Sequence, residues 1–191
     1  MTRLPRLAPG ELDLGQRRLY DAITGGPRAS GPQLFALTDT QGRLNGPFNA
    51  LLFAPGVGVA LQELGSAIRY RTSLSDRIRE LAVLAVAAHW DSAFERYAHE
   101  PIGRAAGLTD AEIAAVSAGT APELSDPAEA AALELARVLV ASGDADDAVF
   151  DRAVSLNGME AVVELTTLVG YYATLALQLR VFRVGTPGDS A

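Results

Sequence analysis

The chain has 191 residues, 49% hydrophobic and 20% charged, a globular composition long enough for a single domain with a real core. Its 16 Lys/Arg and 23 Asp/Glu leave a formal charge of −7, a balance that repels phosphate backbones and anionic lipid, so nucleic-acid binding is not expected. There is no cysteine, which excludes disulfides, thiolate nucleophiles, cysteine-ligated zinc and iron–sulfur clusters, and with only His89 and His99 no histidine-rich metal site is expected.

In chain order, Met1-Thr2-Arg3-Leu4-Pro5 lacks the apolar stretch of a signal peptide, and residues 1–9 read as an extended arm. Glu11 to Ala22 reads as a first helix, ended by Gly25-Gly26-Pro27. Arg28 to Pro47 is rich in Gly, Pro, Asp and Asn and reads as a long loop with a short extended piece at Gln33 to Leu37. Phe48 to Phe53 and Val57 to Tyr70 are the next helices; Gly56-Val57-Gly58 lacks the spacing and lysine of a phosphate loop.

Ser75-Asp76 opens a helix that is apolar from Leu81 to Ala88, too apolar all round for the surface, so it should be central. That run is the longest uninterrupted apolar one and far too short to span a membrane; a soluble, cytoplasmic protein without a membrane partner is expected. Ser92 to Ala106 follows, then a capping box at Thr109 and Glu112, and Asp126-Pro127 opens Ala128 to Ala141. Asp144, Asp146 and Asp147 lack the Gly and bidentate Glu of a calcium loop and read as loop and helix cap before Asp147 to Leu156 and Met159 to Arg180. Period-2 alternation is nearly absent, which predicts an all-α fold of about seven or eight helices.

The chemistry-bearing stretch is Leu74 to Leu108. Ser92, Glu95 and His99 fall at i, i+3 and i+7, within one narrow stripe of a helix, and Glu95 and His99 are close enough to share a hydrogen bond. Such a pair can hold and deliver a proton. Glu80 comes twelve residues before Ser92 and would face the stripe if the two helices pack antiparallel. Blander roles fit the same spacings. A Glu/His pair at i, i+4 is commonly a solvated helix face, and Glu80 near a helix start complements the helix dipole. His89 beside Trp90 serves packing or capping, and Tyr171-Tyr172 serves the core.

Arg79-Glu80-Leu81, the apolar helix, Ser92-x-x-Glu95-x-x-x-His99 and Ala106-Gly107-Leu108-Thr109 with Glu112-Ile113 together resemble the carboxymuconolactone decarboxylase family, whose fold is shared with alkylhydroperoxidase D. The resemblance runs from Gly46 to Val140, and Gly42-Arg43-Leu44-x-Gly46-Pro47-Phe48-Asn49 is similar to a long-form subgroup. It implies an all-helical bundle of that type, expected at 46–185; 1–45 is expected as an extension of arm, helix and loop, and 186–191 as a disordered tail. It further implies assembly into trimers or hexamers and activity with no metal or organic cofactor. In the peroxidase branch a Glu, a Cys-x-x-Cys pair and a His relay protons around a redox disulfide. The matching positions here are Glu80, Ser92, Glu95 and His99. Serine cannot replace a peroxidatic thiolate and glutamate forms no disulfide, so peroxidase chemistry by this motif is unavailable.

What survives is an acid–base frame of Glu80, Glu95 and His99, with Ser92 available to hydrogen-bond a substrate. It suits a lyase acting on a lactone or keto acid. Two other readings use the same residues: a small-molecule-binding or structural oligomer that kept the fold without the chemistry, and a hydrolase or cyclase. An anionic substrate needs a local counter-charge in this acidic chain, for which Arg43, Arg69, Arg71 and Arg79 are candidates. A mean hydropathy of +0.15 in so charged a chain points to apolar surface for self-association.

Overall fold

The computed structural model describes residues 2–26 and 33–188 and has, among them, eight α-helices and no strand. The all-α expectation therefore holds. Of the expected extended piece at Gln33 to Leu37 only bends are found, with one isolated antiparallel bridge just beyond it, Thr38 to Leu44. The loop's Gly31-Pro32 and the last residues of the expected tail, 189–191, lie outside the described residues.

Helix α1 spans Leu14–Thr24 and begins later than Glu11. The reason is a capping box: Asp13 accepts from the Gln16 backbone N–H, and the Gln16 side chain accepts in return from that of Asp13. Pro9–Glu11 forms a separate 3-10 turn. The buried face of α1, Leu19 and Ile23, packs on Leu44, Phe48, Leu51 and Leu52 around α2 (Pro47–Leu51). Gly46 leads into α2 at φ 59, and a Cβ there would lie 2.1 Å from Phe94 Cζ, so the approach needs glycine for both conformation and space. The N-terminal arm is extended but not loose. Asn49 bridges the Leu7 N–H and the Pro5 carbonyl, while Arg3 reaches the carbonyls of Val181 and Phe182.

Helix α3 (Pro55–Tyr70) precedes α4 (Asp76–His89), which Ser75 caps through the Ile78 N–H. Every residue from Ile78 to Ala87 is buried, because α4 is surrounded by α5 (Ala93–Ala105), α6 (Asp110–Ser117), α7 (Pro127–Ser142) and α8 (Asp147–Phe182). The predicted caps close these helices: Thr109 with Glu112 on α6, Asp126 on α7 and Asp146 on α8. The two helices expected from Asp147 onward run on as α8, broken only by Gly158 at φ 85, ψ 160. Among the described residues α8 is the one helix long and apolar enough to cross a membrane. Half of its most apolar window is nevertheless buried against the other helices, as befits a core helix.

Candidate active site

The turn from α4 to α5 reverses the chain so that the two helices run antiparallel. At the turn the Ser92 N–H donates to the Ala87 carbonyl, and further along Glu80 meets His99. This is the packing that spacing alone left open. It draws charge inward: of nine buried polar or charged residues among those described, five are Arg79, Glu80, Ser92, Glu95 and His99. Glu80 is 0% exposed, Glu95 3% and His99 6%, so neither the solvated face nor the dipole-complementing surface role applies.

His99 Nδ1 lies 2.7 Å from Glu80 Oε2. With the Nδ1–H donating to that carboxylate, the ring's orientation and tautomer are set, and Nε2 is left facing Glu95. The Nε2 to Glu95 Oε2 distance is 3.6 Å, too long for the hydrogen bond expected between this pair. The imidazole is thus anchored by the carboxylate of the neighbouring helix, with the one on its own helix standing just beyond reach. Tyr172 of α8 presents its ring edge-on to His99 at 5.2 Å, and Tyr171 meets Tyr172 in the same way at 5.1 Å. Tyr172 therefore belongs to the wall of the site as well as to the core, a role no local pattern signalled.

A buried carboxylate without compensation is costly, and here arginines supply it. Arg79 Nε stands 3.7 Å and Arg69 Nη1 4.0 Å from Glu80 Oε1. Both were candidate counter-charges for a substrate; in the fold both stand beside Glu80, and Arg79 is also ion-paired with Asp76 on its own helix. Arg43 is paired with Asp39 at 2.7 Å, and Arg71 is exposed beyond α3. Neither arginine completes a hydrogen bond to Glu80. Glu80 Oε1 and Arg79 Nε are both buried without a hydrogen-bond partner among the described residues. Ser92 departs from the predicted stripe. It is the N-cap residue of α5, makes no capping hydrogen bond, and its Oγ is buried without a partner among the described residues. No set of three or more His, Asp or Glu among the described residues is arranged to hold a metal ion.

The model of the Carboxymuconolactone decarboxylase family matches residues 55–138, a span that holds Glu80, Ser92, Glu95 and His99. Among solved structures, the alkylhydroperoxidase AhpD core of a peroxidase-related protein from Ralstonia eutropha JMP134 superposes with a TM-score of 0.75 at 16% identity, over 98% of this chain and 93% of that one. An AhpD-like protein from Agrobacterium tumefaciens matches with a TM-score of 0.66 at 22% identity, over 74% of this chain and 97% of that one. The debrominase Bmp8 matches with a TM-score of 0.72 at 13% identity, over 96% and 91%. No curated protein matches the sequence. Residues 55–138 of this chain, site included, match the model of the carboxymuconolactone decarboxylase family, and the whole is folded as an AhpD-like helical bundle.

Proposed function

We propose that the chain is a cofactor-independent lyase that removes carbon dioxide from a lactone or keto acid, using His99 as the proton carrier. The observation that supports this reading best is the buried array Glu80–His99–Glu95, anchored on one ring nitrogen and open on the other. In the reaction, the bond from the α-carbon to the departing carboxylate breaks and its electron pair enters the conjugated substrate carbonyl as an enolate. His99 Nε2 then delivers a proton to that carbon, and Glu95 or solvent returns a proton to the ring. Glu80 positions the imidazole and balances charge as it forms, the part a buried carboxylate plays behind a catalytic histidine. Burial strengthens each of these interactions by keeping water away.

The related fold of Bmp8 belongs to a debrominase, so the same bundle accommodates other chemistry, and the substrate must be established directly. The test is carbon dioxide release from γ-carboxymuconolactone and a set of lactone and β-keto acids with no cofactor added. Turnover by the wild type that disappears in a folded His99→Ala variant supports the reading; equal turnover by both overturns the role of His99.

We also propose that the chain works as a homo-oligomer. Val57 and Val59 on α3 and Val163, Leu177 and Val181 on α8 leave apolar side chains 39–59% exposed, more than an isolated bundle needs. A strictly monomeric mass by light scattering at micromolar concentration would end that proposal.

A further inference from the structure

Beside Ser92 a cavity of about 260 Å³ opens between the turn Trp90–Ala93 and the last turns of α8, where Leu179, Arg180 and Arg183 face it. Four features of its walls converge. Ser92 lines it and is only 7% exposed, and its hydroxyl is buried with no hydrogen-bond partner among the described residues. Because that hydroxyl caps nothing, the N-cap residue offers the Ala93 and Phe94 amides of the 13-residue helix α5 no side-chain acceptor, and the positive end of the helix points toward the same place. Arg180 and Arg183 make no ion pair with a described residue. They are not needed to close α8 either, since Arg3 already takes the carbonyls of Val181 and Phe182 and Thr2 Oγ1 also reaches Phe182. Finally, Asp91 at φ 49 and Arg183 at φ 53 are the two non-glycine residues with positive φ among those described, and both line this cavity.

Arg183 occupies the position after a helix end where glycine adopts the left-handed conformation without strain. A side chain kept there against that cost commonly marks a working site. The one carboxylate on the rim, Asp91, is occupied by Arg96 at 2.8 Å. In a chain of net charge −7, this corner is locally basic, rich in donors and walled by the rings of Trp90 and Phe94.

We infer that this cavity seats the carboxylate of a small organic acid, with Arg180 and Arg183 as counter-charges and the Ser92 hydroxyl and the first α5 amides as hydrogen-bond donors. On the acid–base reading of the site, on which this extension rests, the seat also orients the substrate. His99 follows Ser92 by seven residues, a helical rise of about 10 Å, so the seated carboxylate is the one retained while a second group reacts at the imidazole. Remote binding of this kind positions the reacting carbon.

Trp90 is the protein's only tryptophan and lies in the cavity, so its emission reports occupancy. Sodium benzoate is titrated into the full chain at constant ionic strength, with benzamide as its uncharged counterpart and calorimetry as a second readout. The expected result is saturable binding of benzoate at least tenfold tighter than benzamide, weakened at least tenfold in an R180Q/R183Q double variant and unchanged in His99→Ala. Arg183→Gly keeps the test independent of folding: it should weaken benzoate binding while holding Tm or raising it by about 2–4 °C. Equal affinity for benzoate and benzamide, or binding indifferent to the arginines, overturns the seat. Arginine-dependent binding without turnover on any acid tested overturns only the acid–base reading. Turnover with an unchanged KM in R180Q/R183Q overturns only the seat.

Discussion

Arg77 and Glu80 are three residues apart on α4, and each gathers charged side chains from other helices. Arg77 is fully employed. Its Nε and Nη2 donate to the two Glu129 carboxylate oxygens at 2.7 and 2.9 Å, Nη2 also reaches Glu112 Oε1 at 2.8 Å, and Nη1 takes the Gly107 carbonyl. Those bonds tie α4 to α6, α7 and the loop before α6, and hold the guanidinium pKa above its already high ordinary value. Glu80 is more deeply buried yet less satisfied. One oxygen is bonded to His99, while the other and the nearby Arg79 Nε are left without hydrogen bonds to described residues. A cluster whose donors and acceptors are all matched is a clamp. One that holds charge in a dry place with capacity unspent is suited to a changing charge, as in proton transfer.

The largest effects should come from the Glu80 cluster and appear in turnover. His99→Ala is expected to lower turnover of an established substrate by 10²–10⁴-fold. Glu80→Gln keeps the shape but offers His99 an amide, losing the charge and disturbing the tautomer, and should cost on the order of 10²-fold or more. Both variants should remain folded by circular dichroism, with Tm lowered by the loss of one buried hydrogen bond, about 1–3 kcal/mol. Full activity in Glu80→Gln would mean that the bond to His99 is structural after all. The Arg77 clamp should behave the other way round. Arg77→Met leaves Glu112 and Glu129 facing each other without their cation, and should destabilise the chain by about 2–4 kcal/mol in urea unfolding. Turnover per folded molecule should not change. A loss of turnover at constant stability would erase the distinction between the two clusters.

How much of this was legible in the sequence follows from the range over which each signal acts. Caps are local, so Thr109 with Glu112, Asp126-Pro127 and Asp146 placed α6, α7 and α8 to within a residue or two. The unbroken apolar run identified α4 as central because only a surrounded helix is apolar on every side. The start of α1 was misplaced because the Asp13–Gln16 capping box outcompetes Glu11. At the site, the Glu95–His99 spacing was readable, but which carboxylate bonds His99 was not. That depends on the register of α4 against α5, and the register favours Glu80. Ser92 left the predicted stripe because residue 92 still belongs to the turn. Tyr172, Arg180 and Arg183 come from more than 70 residues downstream, and nothing near them signals that α8 lies along α5.

A finer test of the clamp uses pH. Glu112 is held below the ordinary glutamate range, first by its hydrogen bond from Arg77 and then by those from the Thr109 backbone N–H and hydroxyl, against the opposing effect of burial. Its folded-state pKa is therefore lower than its unfolded one. The stabilisation is fully present above the unfolded value, near 4.3, and is lost as pH falls through the folded value. Removing the charge with Glu112→Gln should accordingly lower stability by about 1–2 kcal/mol between pH 6 and 8. The gap to wild type should narrow steadily below about pH 4, where the wild-type carboxylate protonates as well. Arg77→Met should narrow in the same window, because the carboxylates it leaves behind lose their repulsion on protonation. A gap between Glu112→Gln and wild type that stays constant down to pH 2 would show that Glu112 contributes through its shape and its Thr109 cap. Arg77 would then owe its hold on the bundle to Glu129 and the Gly107 carbonyl alone.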